Sequence, residues 1–81
     1  MVTPESVRLN IAQGMATEHL SVLGDDGTHF EAVIVSEVFA GKTRVQRHQL
    51  VYKTLGDRMR AEIHALSMKT YTPQEWENSS S

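Results

Sequence analysis

Four histidines, His19, His29, His48 and His64, carry most of the chemistry this sequence could perform. A neutral imidazole ligates a borderline metal through a ring nitrogen, and the same ring titrates near neutral pH. The chain has no cysteine. It can therefore lend nitrogen to a metal centre but no thiolate, and any sulfur donor must come from a partner. There is no Gly-x-Ser-x-Gly elbow, no phosphate-cradling glycine-rich loop and no His-Glu-x-x-His pair, so the sequence reads as a non-enzyme. Asp25-Asp26-Gly27 lacks the remaining ligands of a calcium loop and reads as a turn.

His29 follows that turn and stands at the mouth of an apolar strand, and His64 opens a later strand. If those strands lie suitably in one sheet, the two rings converge on one edge. Two imidazoles do not complete a tetrahedral site, so the other ligands would arrive from outside. The alternative for either ring is an ordinary hydrogen-bonded structural role. His48 shares the apolar helical phase of Val45 and Tyr52 and reads as a partly buried ring bonded to a backbone group. His19, beside Glu18, reads as exposed, and Trp76 as a clamp of the chain end over the core.

The elements that must position these residues follow from periodicity. Thr3-Pro4 is a helix start, and Val7, Ile11 and Met15 form one stripe, predicting a helix over residues 4–13. Glu18 to Leu23 alternates, and the Gly24-Asp25-Asp26-Gly27 cluster predicts a hairpin into a second strand, Phe30 to Ser36. Its Val33-Ile34-Val35 run predicts a central strand buried on both faces. Thr43 caps a helix from Arg44 to Leu55 with Val45, His48, Tyr52 and Leu55 in phase. Gly56 interrupts it, and a short helical segment with Met59 and Ile63 follows. A last strand runs from His64 to Tyr71, Pro73 stops it, and the residues from Glu77 onward read as a frayed tail. The fold class is α+β, ordered α-β-β-α-α-β, with a three-stranded mixed sheet whose last strand runs parallel to the second through a helical crossover.

Eighty-one residues make one small domain, assigned to residues 1–76 with 77–81 as tail. With 40% hydrophobic and 22% charged residues the composition is that of an ordinary globular protein. The longest apolar run, Ala32 to Val35, is far short of the roughly 20 residues that span a bilayer, and no secretory leader is evident. A soluble cytoplasmic protein without membrane contact is expected. The net charge of −2 argues against a general nucleic-acid binder. Between Lys42 and Arg60, however, six basic residues face one acid, Asp57, so this segment carries +5 and the rest −7. That segment is either a solvated helix face or a patch for an acidic partner.

The run Val38-Phe39-Ala40-Gly41-Lys42-Thr43-Arg44-Val45-Gln46-Arg47-His48-Gln49-Leu50-Val51-Tyr52 resembles the signature of BolA-like proteins. So do Ile63-His64-Ala65-Leu66-Ser67-Met68-Lys69-Thr70 and Thr72-Pro73-Gln74-Glu75-Trp76, and the Asp26-Gly27-Thr28-His29-Phe30 turn is most similar to the IbaG branch of that family. The resemblance implies a type II KH-like fold. It implies a monothiol glutaredoxin as partner, with a bridging [2Fe-2S] cluster that the isolated protein does not hold. By the same resemblance His64 and His29 are the cluster ligands from this chain, while the glutaredoxin and glutathione supply sulfur. Alone, the chain would be a monomer or weak homodimer. The family also implies a competing role as a DNA-binding transcriptional regulator of stress response and cell morphology, with Lys42, Arg44, Arg47 and Lys53 as nucleic-acid or partner contacts. Gly41-Lys42-Thr43-Arg44 lacks the second glycine of a Gly-x-x-Gly loop, and Gln49 stands where many relatives carry a further basic residue.

Overall fold

The computed structural model describes residues 2–24, 26–63 and 65–80, without the side chains of Arg58 and Ser80. Helix α1 (Pro4–Gly14) starts in a capping box in which Ser6 N donates to Thr3 Oγ1 and Thr3 N donates to Ser6 Oγ, with Pro4 in the first turn. Strands β1 (His19–Leu23) and β2 (His29–Val35) pair antiparallel. A single 3-10 turn (Glu37–Phe39) follows, then helix α2 (Arg44–Glu62), capped by Thr43 and Gln46. Strand β3 (Ala65–Tyr71) pairs parallel with β2, giving the sheet order β1-β2-β3. The α+β class, the three-stranded mixed sheet and the central position of β2 agree with the sequence.

Helix α2 bends at Gly56, whose φ of 77° lies in the left-handed region that a side chain disfavours. The two helical segments expected there are the two arms of this kink. The buried stripe on α2 is Val51 and Leu55, with Leu50 and Tyr52 packed beside it. Val45 was expected in that stripe but lies exposed in the first turn.

Val7 and Ile11 of α1 and Val51 and Leu55 of α2 meet Val22, Phe30, Ala32, Ile34 and Met68 from one face of the sheet. Period-two alternation then sends His19, Ser21, Leu23, Glu31, Val33, Ser67, Lys69 and Tyr71 to the other face. The expectation that β2 is buried on both faces holds at its far end, where Val35, in register with His19 and Tyr71 on that other face, is fully buried, and fails toward the hairpin. Glu31 is exposed and Val33 only half-buried, because the helical layer of α1 and α2 packs on a single side.

A further helix, α3 (Pro73–Ser80), occupies residues read from sequence partly as a frayed tail. Thr72 N donates to Glu75 Oε1 at 2.8 Å and Glu75 N to Thr72 Oγ1 at 3.2 Å, closing another capping box with proline at the first helical position. Trp76 stacks on His19 at 4.9 Å between ring centroids and tilts against Tyr71 at 5.3 Å. It therefore clamps the chain end against the outer face of the sheet, and not over the core as expected.

Candidate functional site

The hairpin that carries His29 is built around one carboxylate. Asp26 Oδ1 accepts from the backbone N–H of Thr28 at 2.9 Å and of His29 at 2.8 Å, and from Thr28 Oγ1 at 3.3 Å. Asp26 Oδ2 lies 2.6 Å from His29 Nδ1, and Thr28 Oγ1 lies 3.0 Å from the same nitrogen. The Thr28 N–H above all, then the His29 N–H and the His29 ring, hold the Asp26 carboxyl well below the usual carboxylate range. Gly24 closes the hairpin from the other side: a Cβ there would stand 2.7 Å from the Phe30 ring and 2.8 Å from the His29 carbonyl oxygen. The site needs this close approach, since Phe30 anchors in the core while His29 next to it stays exposed.

Strand pairing sets what lies beside His29. In the parallel β2–β3 register His29 faces Ala65, and Ala65 N donates to the Thr28 carbonyl at 3.1 Å. Ala65 directly follows His64 in the chain, and His64 itself lies outside the described residues. Leu23, Gly24, His29, Phe30, Glu31, Ala65 and Ser67 line an open concavity of about 510 Å³ at this end of the sheet. Among the described residues no group of three or more His, Cys, Asp or Glu side chains could hold a metal ion.

His48 is half-buried, but its Nε2 is buried with no hydrogen-bond partner among the described residues, so the backbone bond expected of the ring is not made through that atom. His19 is exposed and carries the stacked Trp76.

The four basic residues singled out from sequence do not form one surface. Arg47 is turned inward, with a side chain only 13% exposed. Its guanidinium donates to both oxygens of Glu75 at 2.7 and 3.2 Å, and to the carbonyls of Lys42 at 3.0 Å and Thr70 at 3.3 Å. It also lies 5.8 Å from the centre of the Phe39 ring. That fork fastens α2 to β3 and α3. The Arg47 guanidinium, with help from the Thr72 N–H, holds the Glu75 carboxyl down to about 2. Lys42 and Arg44 are exposed at the start of α2 and make no ion pair among the described residues. Lys53 lies nine residues after Arg44, about 180° around the helix, and lines a separate groove with Gly14, Met15, Val38, Leu50 and Thr54.

Sequence reasoning passed over three residues that build these regions: Asp26, read only as a turn former, Glu75, and the buried Ser36. Ser36 Oγ donates to the Ala16 carbonyl at 2.6 Å and accepts from Val38 N at 3.2 Å. A signal existed for Glu75, because Thr72-Pro73-Gln74-Glu75 has the spacing of a capping box.

Fold and site together define a small α+β domain with α1 and α2 on one face of a mixed sheet, α3 against the other, and an exposed, carboxylate-backed imidazole at one end of the central strand. Residues 2–75 match the BolA-like protein family, and the chain belongs to it. It is 42% identical to Protein BOLA2 of Arabidopsis thaliana, over 94% of this chain and 85% of that one. To the Acid stress protein IbaG of Escherichia coli it is 40% identical, over 89% of this chain and 82% of that one. With the DNA-binding transcriptional regulator BolA of the same organism it shares 36% identity over 94% of its own length, but covers only 62% of that protein. Among solved structures, a bolA protein homologue from Coxiella burnetii superposes with a TM-score of 0.81 at 47% identity, covering 95% of this chain and 99% of that one. Among the described residues no helix is long and apolar enough to cross a membrane.

Proposed function

We propose that this protein is an adaptor in iron–sulfur cluster trafficking or iron homeostasis, sharing a [2Fe-2S] cluster with a monothiol glutaredoxin and glutathione. The observation that carries the reading is the pairing of His29 with Ala65, the residue after His64, at one open end of the parallel strands. The donor set fits. His29 is exposed beside a concavity, its Nδ1 is engaged by Asp26, and a chain without cysteine offers nitrogen where the partner offers sulfur. His29 and His64 would hold the iron on this side. Imidazole in place of thiolate leaves such a centre less negative and raises its reduction potential. The chain's own task is to present neutral imidazoles, because an imidazolium has no lone pair to give. The test is anaerobic co-reconstitution with a monothiol glutaredoxin and glutathione, followed by visible absorption and circular dichroism. The spectrum of the hetero-complex is expected to change in His29→Ala and in His64→Ala. Spectra identical to wild type in both variants would remove the ligand assignments.

A second reading is favoured by the BolA regulator's own name and by the exposed Lys42 and Arg44 at the start of α2. In it this end of α2 contacts DNA phosphates. Arg47 is committed inside the fold and Lys53 lies around the helix, which leaves few cations on one face. Contacts of that kind give salt-sensitive binding with little sequence preference. A salt series with Lys42→Glu and Arg44→Glu discriminates. Sequence-selective binding that survives physiological salt and is lost in both variants would favour the regulator.

A further inference from the structure

We propose that Asp26 is a positioning residue that decides which nitrogen of His29 is offered to a metal. Its carboxylate holds the ring in the Nδ1–H form and leaves Nε2 as the donor. The inference rests on the reading of His29 as a cluster ligand and adds a residue that this reading does not contain.

The geometry divides the two carboxylate oxygens between two tasks. Oδ1 receives the backbone N–H of Thr28 and of His29 and the Thr28 hydroxyl, so it is locked against the backbone of the hairpin. Oδ2 is thereby directed to His29 Nδ1 at 2.6 Å. An ionised carboxylate only accepts, so the nitrogen facing it must carry the proton. A neutral ring protonated at Nδ1 bears its lone pair at Nε2. The same arrangement, a carboxylate behind a ligating histidine, fixes ring orientation and raises donor basicity at metal sites in general. The backbone contributes to it directly, because the two N–H groups that place Oδ1 belong to Thr28 and His29. Ring and carboxylate are thus set by one hairpin turn.

This division of labour makes one substitution unusually informative. In Asp26→Asn the carbonyl oxygen must stay at the Oδ1 position, since only an acceptor satisfies two backbone N–H groups. The amide NH2 then stands where Oδ2 stood, facing Nδ1 as a donor. Nδ1 must give up its proton to accept that bond, and the proton moves to Nε2. The turn is kept while the offered nitrogen is inverted. In Asp26→Ala both the turn and the bias are lost.

The test uses the full chain labelled with 15N, recorded at an alkaline pH where the His29 ring spectrum is that of a neutral imidazole. Long-range 1H–15N correlations of the His29 ring report its tautomer without any cluster present. Wild type is expected to be mainly Nδ1–H and Asp26→Asn mainly Nε2–H, with the amide pattern of β2 and β3 conserved. The same tautomer in both proteins, or an Nε2–H ring in wild type, overturns the proposal. A second arm measures retention of the cluster in the glutaredoxin complex against a chelator. Asp26→Asn is expected to weaken retention about 10- to 100-fold, approaching His29→Ala. If His29→Ala weakens retention but Asp26→Asn does not, the positioning role is wrong and the ligand assignment stands. If neither weakens it, the ligand assignment fails and the positioning role with it.

Discussion

The two ends of the β2–β3 strand pair are built on opposite plans. Where β2 and β3 finish, Arg47 is 13% exposed and spends its guanidinium on Glu75 and the carbonyls of Lys42 and Thr70. Ser36 N donates to the Tyr71 carbonyl at 2.9 Å and Ser36 Oγ reaches Ala16, so α2, β3 and α3 are tied to one another and to the segments that precede β1 and follow β2. Where the same strands begin, His29 is 57% exposed and its Asp26 partner is a neighbour in its own hairpin. Hydrogen bonds at the first end join distant segments. At the second they preset one side chain. The basic residue with the most contacts, Arg47, thus joins parts of the fold to one another.

Core substitution beneath the fastened end should have the largest effect. Phe39 is fully buried and carries the Arg47 guanidinium over its ring, so Phe39→Ala is expected to cost about 3–5 kcal/mol in urea unfolding. A cost below about 1 kcal/mol would break the contrast between the ends. Next comes Gly24→Ala, which forces a methyl into the Phe30 ring and the His29 carbonyl. It should cost about 1–3 kcal/mol and shift the His29 ring resonances, because the open end depends on that close approach.

Acid should act on the fastened end with a definite sign. The Glu75 carboxyl is held at about 2 against an ordinary 4.5. Its contribution to stability is therefore complete above about pH 4.5 and is lost as the pH falls toward 2. Glu75→Gln keeps an oxygen for the Thr72 N–H but removes the charge, and should flatten this part of the wild-type stability profile. An unchanged acid limb would show that the Arg47 pair adds nothing in solution. The smallest expected effect is that of His29→Ala, whose unfolding midpoint should match wild type while cluster capture falls. A clear loss of stability would make His29 a structural residue and erase the distinction.

How much was legible in sequence follows the same division. Elements with strong local signals were readable. Thr3-Pro4 and Thr43 started helices, alternation marked β1, and the Gly24–Gly27 cluster marked the hairpin. The missing helix, α3, had its signal in Thr72-Pro73-Gln74-Glu75, but a proline after a strand reads equally as a stop. Which face of the sheet lies open depends on how many helices return to it, which is a tertiary fact that no periodicity in Val33-Ile34-Val35 contains. His29 was identifiable as a candidate by residue type. Asp26 was not, because a turn-forming aspartate and one that also holds a ring have the same local spelling. The inward turn of Arg47 is not legible for a related reason: its partner Glu75 lies 28 residues away, beyond any helical or strand period.

Nitrogen ligation from this chain is read by pulsed electron paramagnetic resonance of the reduced hetero-complex, prepared with this chain labelled in 15N-histidine. Iron ligation by His29 and His64 predicts hyperfine couplings from two imidazole nitrogens, one lost in His29→Ala and the other in His64→Ala. A cluster-loaded complex with no histidine nitrogen coupling, or with couplings indifferent to both substitutions, would contradict it.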